Sequence, residues 1–369
     1  MALSPAPAGY PASLEDVPRA VHDALRAFLD TQAPLMAEIG DPVDEVVTHL
    51  RTFVLGGGKR IRPVYGWAGF VGAGGLDRAE EDPASVLRAL SSLEFVQACA
   101  LIHDDIIDAS DTRRGNPTVH RAFEAAHRDS QFGGDAASYG RNVAILAGDL
   151  ALVWADDMWR SSGVRHEALS RADGAWRGLR SEVIGGQILD IALEAAGEEE
   201  IERADKVNRY KTAAYTIERP LHLGAALAGA GEETIRAFRA YGRDIGIAFQ
   251  LRDDILGVFG DSAVTGKPAG DDLREGKRTV LLNLALSELD ASNPPAAAEL
   301  RDGVGAADDV AHIARLADII AASGAVEGVE KRIAALSKSG LAHLEAAGID
   351  DEVKETLRHL AVSSTERRA

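Results

Sequence analysis

Apolar residues recur every three or four positions along this chain, from Leu14 almost to its end. The stretches "VHDALRAFLDTQ", "VLRALSSLEFVQACALIH" and "YGRDIGIAFQLRDDILGVF" each hold their apolar residues near a period of 3.6, which predicts helices with a buried face. No alternation of β-branched residues is long enough to build a sheet. Glycine-bearing breaks fall at "LGGGKR", "GAGGLDRAEEDP", "FGGDAASYGRN" and "GDSAVTGKPAGDD", with an Asn-Pro-Pro break at "DASNPPAAAEL". These breaks do not part the chain into halves of unlike composition, and no short repeat is present. The pattern predicts a single all-helical domain over residues 16–369. Residues 1–15, rich in Pro and Ala, form a disordered N-terminal segment in this reading.

Composition narrows the picture. Hydrophobic residues make up 46% of 369, enough for a large core, while aromatics are only 5% and alanine with leucine favours helices. Forty Lys and Arg against 58 Asp and Glu leave a net charge of −18, which excludes a nucleic-acid binder held by phosphate neutralisation. Any anionic ligand must meet a local group of cations. One cysteine, Cys99, permits no internal disulfide and fits a reducing compartment. The start "MALSPAPAGYPASLEDVP" lacks the basic and apolar regions of a signal peptide, and no uninterrupted apolar run approaches a membrane span. The expectation is a soluble, cytoplasmic chain.

Against that background "LIHDDIIDASDTRRG" stands out. On a helix, Asp104 and Asp108 are i and i+4, on one face with Cβ atoms about 5–6 Å apart, and such like charges repel. Because "ACALI" before them is apolar, the carboxylates sit at the mouth of a pocket rather than on a solvated face. Hard oxygens at this spacing suit Mg²⁺, with room for water and phosphate. A second pair, Asp253 and Asp254, follows the apolar "IAFQL", with Gln250 on their side of the helix. If the two helices face each other, several Mg²⁺ ions could clamp a diphosphate between them and stabilise it as a leaving group.

Cations accompany both pairs. Lys59 and Arg62 lie in "GGGKRIRP", Arg113 and Arg114 follow the first cluster, Lys211 and Thr212 lie in "NRYKTAAYT", and Lys267 and Lys277 flank "GKPAGDDLREGK". Arginine forks and lysine point charges are the common phosphate binders. The first motif is not a nucleotide P-loop, because Arg60 follows the lysine and Phe53 takes the first glycine position. Gln187 and Asp190, i and i+3 in an apolar helix, form either a satisfied core pair or a further carboxylate for the metal. The four tryptophans read as packing. His103, His120 and His127 lack zinc spacing with cysteine. A phosphohydrolase built on His103 and Asp104 would leave the second Asp pair and the lysines without a role.

Taken together and in order, these motifs resemble the trans-isoprenyl diphosphate synthase family, the polyprenyl synthetases. "DDIIDASDTRRG" is similar to the family's first aspartate-rich motif and "FQLRDDILG" to its second. The resemblance runs from "GGGKRIRP" to "EGKRT", most of the chain. It implies an all-α antiparallel bundle around a central cavity, the isoprenoid synthase fold, and a homodimer. It implies Mg²⁺, three ions per site, on Asp104, Asp108 and Asp253, with Asp105, Asp190 and Asp254 assisting. It implies that Arg113, Lys211, Thr212, Gln250, Lys267 and Lys277 hold an allylic diphosphate, and that Lys59, Arg62, Gln97 and Arg114 hold isopentenyl diphosphate. One departure stands out: the second motif should end in Asp, but Gly257 occupies that place, with Asp261 beyond it.

The implied reaction is ionisation of a dimethylallyl, geranyl or farnesyl diphosphate, attack by isopentenyl diphosphate and loss of a proton. In the family, bulky aromatics four and five residues before the first aspartate resemble a floor that limits product length. Here those residues are Ala100 and Cys99, both small, which favours geranylgeranyl diphosphate over a shorter product, with Val96 and Phe95 as the next floor. Longer products, a class I terpene cyclase and a non-catalytic partner subunit are the competing readings. A cyclase would have no use for Lys59, Arg62 and Arg114.

Overall fold

A computed structural model describes residues 10–77, 80–260, 269–307 and 309–365. It is all-α, as the apolar spacing requires. In chain order the helices are α1 (Val17–Ala37), α2 (Asp41–Leu55), α3 (Ile61–Gly72), α4 (Pro83–Ser91), α5 (Leu93–Ile107), α6 (Val119–Asp129), α7 (Ala136–Arg160) and α8 (His166–Ala196). There follow α9 (Ile201–Val207), a π-helical stretch (Asn208–Glu218), α10 (Arg219–Leu227), α11 (Glu232–Phe259) and the short α12 (Asp271–Glu275). The chain ends with α13 (Val280–Ser292), α14 (Pro294–Gly303), α15 (Val310–Ala322), α16 (Ala325–Ala346) and α17 (Asp351–Thr365). The strands among the described residues are a two-residue pair, β1 (Thr112–Arg113) antiparallel to β2 (Asn116–Pro117). Leu14–Asp16 forms a single 3₁₀ turn.

These residues fall into two compact units. The first comprises Met1–Arg177, Arg219–Ile235 and Ile349–Val353. The second comprises Gly178–Glu218, Arg236–Gly348 and Lys354–Ala369.

In the first unit, α1 presents Val17, Val21, Leu25 and Leu29, four apart and fully buried, as one continuous stripe. The rings of Phe28 on α1 and Trp154 on α7 lie 5.4 and 6.1 Å from Phe95 on α5, so one aromatic cluster joins three helices. The long apolar run from Val86 to His103 is not one helix. It breaks at Ser92, where the Ser91 and Ser92 hydroxyls donate to the carbonyls of Leu87 (2.7 Å) and Ala89 (2.5 Å). Side chains that bond the preceding turn in this way compete with the helix and bend it. As a composite, Pro83–Ile107 is long and apolar enough to cross a membrane, but 78% of its most apolar window is buried inside the protein, as expected of a core segment.

In the second unit, Leu251 and Ile255 of α11 pack with Leu281, Leu282 and Leu286 of α13, Leu316 and Ile320 of α15 and Val329 of α16. Arg252 ties this core to the end of the chain: it is bidentate on Glu330 (2.6 and 2.7 Å) and donates to the Thr365 carbonyl (2.8 Å).

The π-helical stretch was not legible in the apolar period. Its backbone lies unusually close to its neighbours. A Cβ placed at Gly186 of α8 would come within 2.4 Å of the Lys211 nitrogen, and one at Gly246 of α11 within 2.7 Å of the Ala213 Cα. Only glycine permits such approach on both sides.

Candidate active site

The first unit builds its site along one face of α5. Glu94, Gln97, Leu101, Asp104 and Asp108 recur at the helical period, and Asp108 ends the helix as its C-cap. Asp104 and Asp108 are half-buried there, so their carboxylates have an apolar approach and an open side. Asp105 points the other way and is 1% exposed. It receives the Arg113 guanidinium, Nε at 2.8 and 2.9 Å from its two oxygens and one terminal nitrogen at 2.6 Å. The same guanidinium stands 3.9 Å from Asp104. The β1–β2 hairpin brings Arg113 back onto the helix that precedes it. Burial works against the charge on Arg113, but its hydrogen bonds to Asp105, aided by Asp104 and Asp108, more than compensate and raise its pKa.

Further cations gather beside this face. Arg60, in left-handed conformation at the start of α3, is buried on Glu94 at 2.6 Å and on the Val54 carbonyl at 2.8 Å, which makes it structural. Arg62 is buried one residue into α3, and Lys59 is exposed at the glycine turn. Arg114 donates to the Gly57 carbonyl at 3.0 Å, so the triple-glycine loop orients it. The Arg114 pKa is lowered by burial, an effect offset in part by Glu94 and reinforced by Arg113, Arg60 and Arg62. The guanidiniums around Arg114 that oppose its charge mark a place where an anion is stabilised.

His103 faces away from the aspartates. Its ring lies over Gly148 of α7, with Nε2 at 3.0 Å from the Ile145 carbonyl and Nδ1 at 3.7 Å from the Cys99 sulfur. A hydrolase pairing His103 with Asp104 has no support in that arrangement. Burial pushes the Cys99 thiol up to about 12, leaving a small neutral side chain next to half-buried Ala100.

The second unit holds the other predicted residues. Lys211, on the π-helical stretch, donates to Asp190 of α8 at 2.6 Å. Thr212 donates to the Gln250 side-chain oxygen Oε1 at 2.6 Å, and the Gln250 side-chain amide nitrogen donates to Asp254 at 2.8 Å. This relay ties the π-helical stretch to α11. Asp253 is half-buried, whereas Asp254 is 2% exposed. Burial pushes Asp254 up to about 8; the Gln250 bond opposes this, and repulsion from Asp272 and then Asp253 adds to it. Lys277 lies 2.5 Å from Glu275 and 4.0 Å from Asp272. Lys267 and Asp261 lie outside the described residues. Glu94, Asp272 and Glu275 were not singled out in the sequence, although "GDDLREGK" carries the last two in plain view.

Residues 43–320 match the family model described as polyprenyl synthetase. A geranylgeranyl pyrophosphate synthase from Corynebacterium glutamicum, crystallised with isoprenyl diphosphate and magnesium, is 60% identical with a TM-score of 0.95, over 96% of this chain and all of that one. A geranylfarnesyl diphosphate synthase from Aeropyrum pernix is 36% identical over 75% of this chain and 79% of its own length. A (2E,6E)-farnesyl diphosphate synthase from Mycobacterium bovis is 32% identical over 85% and 80%.

Proposed function

The chain belongs to the polyprenyl synthetase family and is a trans-prenyltransferase, and from that premise we propose that its product is geranylgeranyl diphosphate. The observation that carries the catalytic half of this reading is the split of the first cluster. Asp104 and Asp108 share the open helix face, while Asp105 anchors Arg113 behind them. The product length rests on Cys99 and Ala100, neither of which supplies an aromatic floor, and on the likeness to the Corynebacterium synthase.

The acidic residues fit Mg²⁺. This ion favours hard oxygens, keeps several waters and takes one or two carboxylates together with substrate phosphates. Among the described residues no three His, Cys, Asp or Glu side chains form a metal site by themselves. In this reading Asp104 and Asp108 would hold metal in the first unit and Asp253 in the second, with Asp190 assisting. Bound there, Mg²⁺ would draw charge from the diphosphate and ease its departure from the allylic carbon.

The protein's own groups do the rest. Arg113, Lys211 and Lys277 place positive charge where the leaving diphosphate becomes more negative, an effect strengthened wherever water is excluded. Thr212 and Gln250 orient it through their hydrogen bonds, and Lys267 is assigned to the same group. Lys59, Arg62, Gln97 and Arg114 hold isopentenyl diphosphate so that its double bond meets the cation. The released diphosphate takes the proton.

Two further assignments belong to this reading. The apolar Leu146 and Val153, exposed one heptad apart on α7, form a surface for a second copy of the chain, which acts as a cytoplasmic homodimer. Ala100→Phe shortens the product, because a phenyl ring occupies the room that small residues leave. Purified protein given Mg²⁺, isopentenyl diphosphate and separate allylic primers should release diphosphate and yield geranylgeranyl diphosphate on chromatography. A cyclic hydrocarbon, or no elongation, would overturn the reading. An unchanged product from Ala100→Phe would refute the floor.

A further inference from the structure

The second aspartate-rich stretch ends at Gly257, where the resemblance calls for a carboxylate, yet the space at that position is not empty. A Cβ built on Gly257 would lie 2.0 Å from Asp272 Oδ2, 2.5 Å from its Cγ and 3.0 Å from its Oδ1. The Asp272 carboxylate therefore sits where a side chain at residue 257 would begin. Gly257 is i+4 from Asp253 and i+3 from Asp254, on the face of α11 that carries them. We propose that Asp272 supplies, from α12, the third carboxylate of the second cluster, and that Gly257 is glycine because it must admit that carboxylate. The proposal rests on the reading that this cluster takes Mg²⁺.

Two observations beyond proximity support it. Asp254 is 2% exposed and its Oδ2 lacks a hydrogen bond of ordinary geometry, although the Asn208 amide lies close enough to act on it. A buried carboxylate oxygen in that condition is costly unless a cation or donor completes it. Asp272 is also held in place. The Lys277 backbone donates to its carbonyl at 3.0 Å and the Lys277 ammonium stands 4.0 Å from its carboxylate, which leaves that side chain 17% exposed. Position 257 is thus answered in space by a residue fifteen places on in the chain.

The test is a swap, with Mn²⁺ as a hard-oxygen probe. Free Mn²⁺ is followed by electron paramagnetic resonance as the full-length protein is titrated in the presence of inorganic diphosphate. Asp272→Asn and Gly257→Ala should each weaken binding by roughly tenfold or more. Gly257→Asp combined with Asp272→Gly should recover most of what Asp272→Gly alone loses. Gly257→Ala keeps the charge and only displaces it, so it decides the matter if Asp272→Asn fails to fold, as judged by near-ultraviolet circular dichroism. Asp272→Asn binding like the parent, or a double variant no better than Asp272→Gly, would overturn the proposal. Asp253→Asn separates the two levels. If it too binds Mn²⁺ like the parent, the metal reading of this cluster fails, whereas loss there without loss at Asp272 sinks only the present inference.

Discussion

Asp105 and Asp254 are the same residue in two settings. Each is the second of an Asp-Asp pair on an apolar helix, and they are 1% and 2% exposed. In the first unit the hairpin after α5 returns Arg113 to Asp105, so a buried carboxylate faces a half-buried guanidinium. In the second unit the nearest partner of Asp254 is the Gln250 amide, while Asp272 and Asp253 add negative charge, and burial pushes the group up to about 8. An identical dipeptide thus becomes one half of an ion pair in one place and a carboxyl that keeps its proton near neutrality in the other. What differs is the partner that the surrounding fold delivers.

The largest effect should fall on the open-face residues rather than on either buried one. Asp104→Ala should lower kcat/KM by on the order of 10³ when diphosphate release is followed, the scale for losing one strong transition-state contact. A loss no greater than that of a surface variant would end the distinction between open and buried aspartates. Next comes Asp105→Asn, which leaves Arg113 without its main counter-charge and should cost about 3 kcal/mol in urea unfolding. A cost under about 1 kcal/mol would show that the pair is dispensable.

The comparison sharpens with pH. In metal-free protein Asp254 carries its proton when folded up to about 8, against an ordinary value of 3.8. Between those values the folded chain binds a proton that the unfolded chain has released, so stability falls as pH rises through that window. Unfolding in chelator across it should show the decline in the parent and a flatter profile in Asp254→Asn. Equal slopes would mean that Asp254 ionises like an exposed carboxylate. At pH 7 that same variant should be the mildest of the three, below about 1 kcal/mol, because an amide resembles the protonated acid it replaces.

Much of this protein was decided by local sequence. The 3.6 period specified helices because burying one face of each is the only way such a pattern removes its apolar groups from water. The first cluster was legible because its parts are near neighbours in the chain: Asp104 and Asp108 share a face by helical geometry, and Arg113 is a short hairpin away. The acid pair of α11 was legible for the same reason. Tertiary structure decided what depended on distant segments. Ser92 broke a run that reads as continuous, and close glycine contacts from α8 and α11 flank the π-helical turn that carries Lys211 and Thr212. The carboxylate beside Gly257 came from another helix. Periodicity reports which face of an element is buried, but not which residue from elsewhere will be packed against it.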